Sequence, residues 1–294
     1  MFLYYMIRNG RGIAGATIER ESSSSTEMTE IDTESSPTEV KLHNEQLERY
    51  LRDIDFESLS AEETLRWAAA TFSPDRAVLS TSFQAAGVAM IHMASELQLG
   101  LRVATVDTLR LHPETYAFMR EVEERYGIDI EVQRPDPDQV RSMVDRFGEY
   151  LFFDNKARQE YCCQVRKTRP HDKLLKTADC WISGLRRDQS PFRVENTPKA
   201  TTVTDYGTPR QLLKLNPMAD WPEERILRYV EENDVPKHPL YAQGYGSIGC
   251  FICSTPTNPG EPKRAGRWRW FNSDEKPSEE DAKECGLHVP MYNI

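Results

Sequence analysis

The chain has 294 residues, 38% of them hydrophobic and 29% charged, which predicts a folded protein with one large domain and tails, or with two small domains. The formal net charge of −10 argues against a nucleic-acid partner, although a local basic group could still bind a small anion. No apolar run approaches the length of a membrane-spanning helix, and residues 1–7 precede their positive charges, unlike a secretory signal. We therefore expect a cytoplasmic protein that binds neither membrane nor nucleic acid.

Composition and hydrophobic periodicity predict the elements in chain order. Residues 19–40 are rich in Glu, Ser and Thr, so we expect 1–40 to be a disordered tail. A translation start at Met28 instead of Met1 stays open. From residue 41 onward the spacing predicts helices at 42–51, 61–70, 85–97, 113–126 and 138–147. Apolar runs predict strands at 77–79, 103–106, 128–132 and 180–183. This alternation predicts an α/β fold, with a doubly wound, mostly parallel sheet and helices on both faces.

Polar and basic residues follow the predicted strands, where ligands of such a sheet bind. The segment 80–86 leads into a helix, whose first N–H groups can bind an anion. Arg186 and Arg187 follow the fourth strand, and guanidinium groups match the oxygens of phosphate and sulfate. Further candidates elsewhere in the chain are Arg166, Lys167, Arg264 and Arg267. Each basic residue alone is more often a solvated surface charge, so the predicted anion site depends on the fold bringing them together.

Six cysteines stand at positions 162, 163, 180, 250, 253 and 285. In a chain of this size without an export signal, metal binding or catalysis explains them better than disulfides do. Cys162 and Cys163 are adjacent, and Cys250 and Cys253 form a Cys-x-x-Cys pair. Adjacent thiolates suit a four-iron cube better than a single zinc ion, so we expect [4Fe–4S], with zinc as the alternative. Cys180 lies in a predicted buried strand and is expected to pack in the core.

The sixth cysteine belongs to a polar C-terminal segment, Glu284-Cys285-Gly286-Leu287-His288. Nearby Lys283 and His288 favour the reactive thiolate, whereas the adjacent glutamate opposes it. The residues between 271 and 285 could span ~45–50 Å if extended, so this tail could close over a distant site. On these residues alone, a nucleophile and an incidental tail cysteine are equally good interpretations.

Five segments together resemble the sulfonucleotide reductases, which reduce adenosine 5′-phosphosulfate (APS) or its 3′-phosphorylated form (PAPS). They are 106–116, 162–167, 184–191, 244–253 and 283–288. The resemblance extends over 78–288, and five matching segments in family order are a very specific signal. It implies an adenine-nucleotide alpha-hydrolase-like fold for 41–273, followed by a mobile catalytic tail at 274–294.

The resemblance also implies a mechanism and its residues. The Cys285 thiolate attacks the sulfur of the substrate, and thioredoxin or glutaredoxin then releases sulfite from the resulting S-sulfocysteine. One [4Fe–4S] cluster per subunit is implied on Cys162, Cys163, Cys250 and Cys253. The implied substrate-binding residues are Ser80, Ser82, Phe83, Asp107, Lys167, Arg186, Arg187, Arg264, Arg267 and His288. Among them, Lys167 is implied to contact both cluster and substrate, and Arg264 and Arg267 to bind the phosphosulfate. A homo-oligomer is also implied.

Three departures from the family pattern concern the substrate. Segment 80–86 lacks the Gly-Ala-Glu-Asp run of cluster-bearing APS reductases and resembles the Ser-rich loop of PAPS reductases. Leu109 replaces a glycine, and Phe251-Ile252 replaces a more polar pair. Residues 110–113 and the complete cysteine set resemble the APS type. We therefore expect an APS reductase and keep a PAPS or dual-substrate reductase open. More distant alternatives are an ATP-using adenylyltransferase or thiolation enzyme of related fold, and a non-enzymatic iron–sulfur redox sensor.

Overall fold

A computed structural model describes residues 36–204 and 207–271, which form one six-stranded sheet. Its strands are β1 (Ala77–Ser80), β2 (Arg102–Val106), β3 (Ile130–Gln133), β4 (Cys180–Ile182), β5 (Ala200–Thr204) and β6 (Gln211–Leu215). The strand order is β3-β2-β1-β4-β6-β5, and within this sheet only the edge strand β5 is antiparallel to its neighbour. The predicted mostly parallel sheet is confirmed. The predicted tails lie outside the described residues, apart from the few between 36 and 40.

The helices confirm each predicted helix and add others. They are α1 (Pro37–Asp53), α2 (Ala61–Thr71), α3 (Ala85–Glu96), α4 (Pro113–Tyr126), α5 (Pro137–Phe147), α6 (Lys156–Cys163), α7 (Arg169–Leu175), α8 (Pro191–Asn196) and α9 (Glu223–Glu232). Helix α1 starts at Pro37, before the predicted domain start at 41, because Ser36 and Glu39 form a reciprocal capping box. Within the described ranges, no helix combines the length and apolar character that crossing a membrane requires.

Both faces of the sheet are covered, because neighbouring residues along a strand enter different hydrophobic clusters. In β1, Ala77 and Leu79 pack into the larger cluster, whereas Val78 packs into a smaller one. Helix α9 contributes Ile226 to the larger cluster, and α7 contributes Leu174 to the smaller one. Strands buried on both sides are typical of a parallel sheet between helical layers. The doubly wound arrangement predicted from the sequence is therefore confirmed.

Local patterning does not predict β5, β6 or α9. The sequence of β6 is interrupted by Lys214, yet this lysine is buried, with its Nζ 4.4 Å from the centre of the Trp181 ring in β4. A cation–π contact of this kind stabilises a charge that local composition alone would assign to the surface. Strand β5 is rich in threonine and lies at the sheet edge, where polar residues are tolerated.

A continuous helical path leads from α6 into α7 and carries several predicted site residues. Between them, Gln164–Thr168 forms a π-helical turn, which changes the helical register just after Cys162 and Cys163. Pro170 follows in α7, and because proline has no backbone N–H, it interrupts the helical hydrogen bonds next to the π-helical turn. Turns of this kind are frequent at functional sites.

Candidate functional site

A cavity of about 470 Å³ lies beyond the carboxyl ends of β1, β2 and β4. Residues just past those strands line it, including Ser82, Thr108 and Gly184. This is the edge at which ligands of a doubly wound sheet bind. The predicted site residues found in the lining are Ser80, Ser82, Phe83, Lys167, Arg186, Arg264, Arg267, Cys162, Cys163, Cys250 and Cys253.

Four predicted site residues are not in this lining. Asp107 and Arg187 are described and make contacts elsewhere, whereas Cys285 and His288 lie outside the described residues. The Arg187 guanidinium donates to both carboxylate oxygens of Glu57, at 2.8 and 2.7 Å, and to the Thr197 carbonyl at 3.0 Å. Arg187 therefore ties its turn to the segment between α1 and α2, and its guanidinium is directed away from the cavity.

The loop after β1 presents hydroxyl groups to the cavity. Ser80 Oγ accepts a hydrogen bond from Trp181 Nε1 at 2.6 Å, which leaves the serine O–H able to donate to a ligand. Thr81 Oγ1 accepts from the Phe83 amide at 2.9 Å, and Phe83 adopts a φ of +57°. A non-glycine residue in this region is strained, and such strain concentrates at functional sites.

Asp107 shapes the turn after β2. Its carboxylate accepts hydrogen bonds from the Tyr116 hydroxyl at 2.7 Å and from Arg134 Nε at 3.1 Å. A third bond comes from the Leu109 amide at 2.8 Å, and Leu109 has a φ of +59°. Leu109 thus takes the backbone conformation that glycine favours, at a cost of about 1–2 kcal/mol. Burial and the bond to Asp107 raise the pKa of Tyr116 to about 12, so this donor stays protonated.

Arg267 is fixed against the loop that carries two of the cysteines. Its Nε donates to the Cys253 carbonyl at 3.1 Å, and its guanidinium carbon lies 4.7 Å from the ring centre of Trp268. A Cβ added at Gly249 would lie 2.5 Å from Arg267 Nη1 and 2.6 Å from Cζ, so the guanidinium packs directly on this glycine backbone. The loop therefore holds a cation that the sequence assigns to substrate binding.

Gly249→Ala is expected to weaken anion binding about 10- to 100-fold, because the new methyl group must displace the Arg267 guanidinium. Calorimetric titration with AMP measures this loss. The control is a double-mutant cycle with Arg267→Ala, in which adding Gly249→Ala should cause little further loss. Full additivity of the two losses would show that the glycine acts on another part of the site.

Four thiols line the cavity from two segments. Cys162 and Cys163 end α6, and Cys250 and Cys253 stand in the loop that follows residue 244. An antiparallel bridge between Leu111 and Cys250 joins this loop to the turn after β2. None of the four forms a disulfide in the described structure. The fold thus brings together the two cysteine pairs that the sequence separates.

The surroundings of these thiols fit a group larger than one metal ion. Burial raises the pKa of Cys162, and it raises that of Cys253 to about 12; a bound metal would favour their thiolate forms. Arg166 Nε and Trp268 Nε1 are buried in the same lining and have no acceptor in the described structure. Among the described residues, no three His, Cys, Asp or Glu side chains form a group that could hold a metal ion. Four thiols and two buried donors in one lining fit an anionic group such as an iron–sulfur cluster.

Two cavity residues carry no signal in the sequence motifs. His171 in α7 is buried, and burial, with Lys167 and Lys214 nearby, lowers its pKa to about 3, so the ring is neutral. Tyr241 accepts a hydrogen bond from the Ala85 amide at 3.2 Å. Neither residue belongs to a recognisable spacing, because tertiary packing alone brings α7 and the segment before residue 244 to the cavity.

His238 anchors the short 3₁₀ turn Pro239–Gln243 that carries Tyr241. Its Nδ1 accepts from the Leu240 amide at 3.2 Å, so the ring proton sits on Nε2, 3.0 Å from Thr115 Oγ1. Burial is the main cause that lowers its pKa from 6.5 to about 4; nearby His112 adds to the effect, and Glu114 opposes it. The native fold therefore requires the neutral ring.

This arrangement predicts a loss of stability in mild acid. As the pH falls from about 6.5 to about 4, the unfolded chain binds a proton at His238 that the folded chain does not bind, so the free energy of unfolding falls. The loss attributable to His238 is at most about 3–3.5 kcal/mol. Urea unfolding at about pH 7.5 and pH 5 measures the decrease in the free energy of unfolding. We expect this decrease in the wild type and a smaller one in His238→Gln. Equal losses in both proteins would contradict the assignment.

Fold and cavity together define a doubly wound α/β protein with basic residues and four thiols in one cavity lining. Comparison with known proteins then identifies the family. The model of the phosphoadenosine phosphosulfate reductase domain matches residues 76–256. The chain belongs to this family, the sulfonucleotide reductases, and is therefore an oxidoreductase.

Relatives with assigned names support the membership. The chain is 40% identical over 214 residues to "Adenosine 5'-phosphosulfate reductase" of Agrobacterium fabrum, covering 73% of this chain and 78% of that one. It is 36% identical to the protein of that name from Allochromatium vinosum, covering 73% and 79%. The crystal structure of a PAPS reductase from Candida auris shares the fold, with a TM-score of 0.57 at 23% identity, covering 75% of this chain and 98% of that one.

Proposed function

We propose that the chain reduces APS to sulfite and AMP in assimilatory sulfate reduction. The observation that carries this proposal is a single cavity at the sheet edge, lined by four thiols and by Lys167, Arg186, Arg264 and Arg267. A sulfonucleotide needs cations for its anionic groups, and relatives named as APS reductases support APS as the substrate. The Ser-rich loop at 80–86 favours PAPS, which we keep as the second candidate.

In the first step, the thiolate of Cys285 attacks the sulfur of the bound sulfate group. A sulfur–sulfur bond forms while the bond from sulfur to the bridging oxygen breaks, and AMP leaves with that electron pair. The chain then carries an S-sulfocysteine. Negative charge grows on the leaving phosphate, and cationic groups fixed around it, such as Arg264 and Arg267, stabilise that change.

In the second step, a protein dithiol of the thioredoxin or glutaredoxin type attacks Cys285 Sγ. Sulfite leaves with the sulfur–sulfur electron pair, and a mixed disulfide forms between the two proteins. The second thiol of the partner resolves this disulfide and frees Cys285 for another cycle. The substrate sulfur gains two electrons, and the dithiol becomes a disulfide. The cytoplasmic location and the homo-oligomer stay predictions.

The nucleotide is held by residues that line the cavity near β1 and β4. Ser80 and Ser82 offer hydroxyl donors, whereas the Phe83 ring is buried in the core in a T-shaped contact with Phe118, with centroids 6.4 Å apart. Arg186 adds a cation whose Nε is held by Asp188 Oδ1 at 3.0 Å. We expect His288 to join these residues when its segment meets the substrate.

A [4Fe–4S] cluster, one per subunit, would be held by Cys162, Cys163, Cys250 and Cys253. When bound, it would supply a local electrostatic field beside the substrate, without itself donating the electrons. Lys167 lines the same cavity as the thiols and the cationic residues, and in this proposal it contacts both the cluster and the substrate. The chain's own residues orient the substrate and stabilise its charge.

Sulfite release tests the function. Protein purified without oxygen is supplied with thioredoxin and its reductant, and with APS and PAPS in parallel. We expect sulfite from APS at a rate well above that from PAPS. Preference for PAPS would keep the mechanism and reverse the substrate. Activity on neither, together with pyrophosphate release from ATP, would point to an adenylyltransferase or thiolation enzyme. A chain without either activity, which still binds a partner after Cys285→Ser, would be a redox sensor.

A further inference from the structure

Tyr241 lines the cavity, but no sequence motif and no step of the proposed reaction uses it. We propose that its hydroxyl group donates a hydrogen bond to a phosphate or sulfate oxygen of the bound sulfonucleotide. This inference rests on the proposed function and adds one substrate-binding residue to the site.

The direction of the hydroxyl proton follows from the contacts of the oxygen. The Ala85 amide, at the start of α3, donates to the Tyr241 oxygen at 3.2 Å. This amide belongs to the first turn, which has no acceptors within the helix, and Gln84 in the capping position makes no side-chain capping bond. Because the phenol oxygen accepts here, its single proton must point elsewhere. Within the described structure no hydrogen-bond acceptor is found for it, so it can serve a ligand in the cavity.

The neighbours of this hydroxyl suit an anion. The cavity lining next to Ala85 includes Ser82. The N-terminus of α3 adds a partial positive charge, which also attracts an anion. Arg186 is close enough to act electrostatically on the phenol, although burial has the larger effect and raises the pKa of Tyr241. The group therefore stays protonated near neutral pH and acts as a donor.

The ring is held in place before a ligand binds. The turn that carries Tyr241 begins at His238, whose ring bonds to Thr115 in α4 and to the backbone of the turn itself. The His238 and Tyr241 rings lie edge-to-face, with centroids 6.5 Å apart. A donor that is already positioned costs little further ordering when it meets its acceptor.

Tyr241→Phe tests the proposal because it removes the hydroxyl and keeps the ring. Calorimetric titrations in a Cys285→Ala background, which prevents turnover, compare APS, AMP and adenosine. We expect an affinity loss of about tenfold for APS, with adenosine unchanged, as for one hydrogen bond to a charged group. The control is Tyr229→Phe, which removes a hydroxyl from α9 outside the lining and should change none of the affinities.

The three ligands separate the outcomes. A loss shared by APS and AMP supports contact with the phosphate, and a loss for APS alone supports contact with the sulfate. An equal loss for adenosine would mean that Tyr241 only organises the start of α3, and it would overturn the proposal, as would no loss at all. Urea unfolding of the variant confirms that the protein is folded. If the parent protein binds neither APS nor AMP, the proposed function fails as well, which the first titration reveals.

Discussion

Cys285→Ala is expected to lower sulfite release from APS by roughly a thousandfold or more, because it removes the attacking thiolate. Cys162, Cys180 and Cys253 cannot replace it easily, since burial raises the pKa of each of these thiols. Nucleotide binding should survive, because the cationic lining belongs to other segments of the chain. Sulfite assays and AMP titration measure the two properties separately.

The intermediate gives this prediction a second readout. Wild-type protein incubated with APS, but without reductant, should gain the mass of one SO₃ group on the peptide that contains Cys285. The alanine variant should not gain it. Cys180→Ala is the matched control, because this thiol is buried in the core, and the variant should retain adduct and turnover. Near wild-type turnover by Cys285→Ala would remove Cys285 from the mechanism.

Cys253→Ala is expected to abolish both the iron–sulfur chromophore and most of the activity. It removes one of four thiols, and it also alters the loop whose carbonyl at residue 253 receives the Arg267 Nε bond. Cluster content is measured as iron and acid-labile sulfide, together with the visible absorption of protein purified without oxygen. Affinity for AMP should also fall, because Arg267 loses part of its support.

The control for this second substitution is again Cys180→Ala. Both cysteines are buried, but Cys180 lies in β4 away from the cavity lining, so its loss should leave iron, sulfide and turnover intact. Purified wild-type protein that is colourless and holds tightly bound zinc would contradict the iron–sulfur assignment. Retention of iron and sulfide by Cys253→Ala would instead remove this residue from the ligand set.

The central fold could be predicted from local patterns because they were strong there. The apolar runs of β1 and β2, and the periodicity of α4 between Pro113 and Gly127, are determined by neighbouring residues. Strand β6 could not be predicted, because the burial of Lys214 depends on the Trp181 ring of a distant strand. The π-helical turn at Gln164–Thr168 could not be predicted either, since no local signal marks it.

The site residues also divide into those that local motifs predict and those that only tertiary contacts determine. Motifs identified the four cysteines and most of the cationic lining, because they combine distinctive residue types at fixed spacings. They could not show that Arg187 faces Glu57 or that Asp107 serves its own turn, since direction depends on partners far along the chain. Tyr241 has no motif and reaches the cavity only through tertiary contacts. The roles of Cys285 and His288 stay predictions.

The origin of the four thiols in two distant segments has a consequence for how the protein matures. Cys162 and Cys163 are synthesised well before Cys250 and Cys253, and only the folded cavity places both pairs side by side. A growing chain therefore offers an incomplete ligand set to any iron–sulfur donor. In this proposal, loading of the cluster is a late event, because the complete ligand set exists only after both segments have folded together.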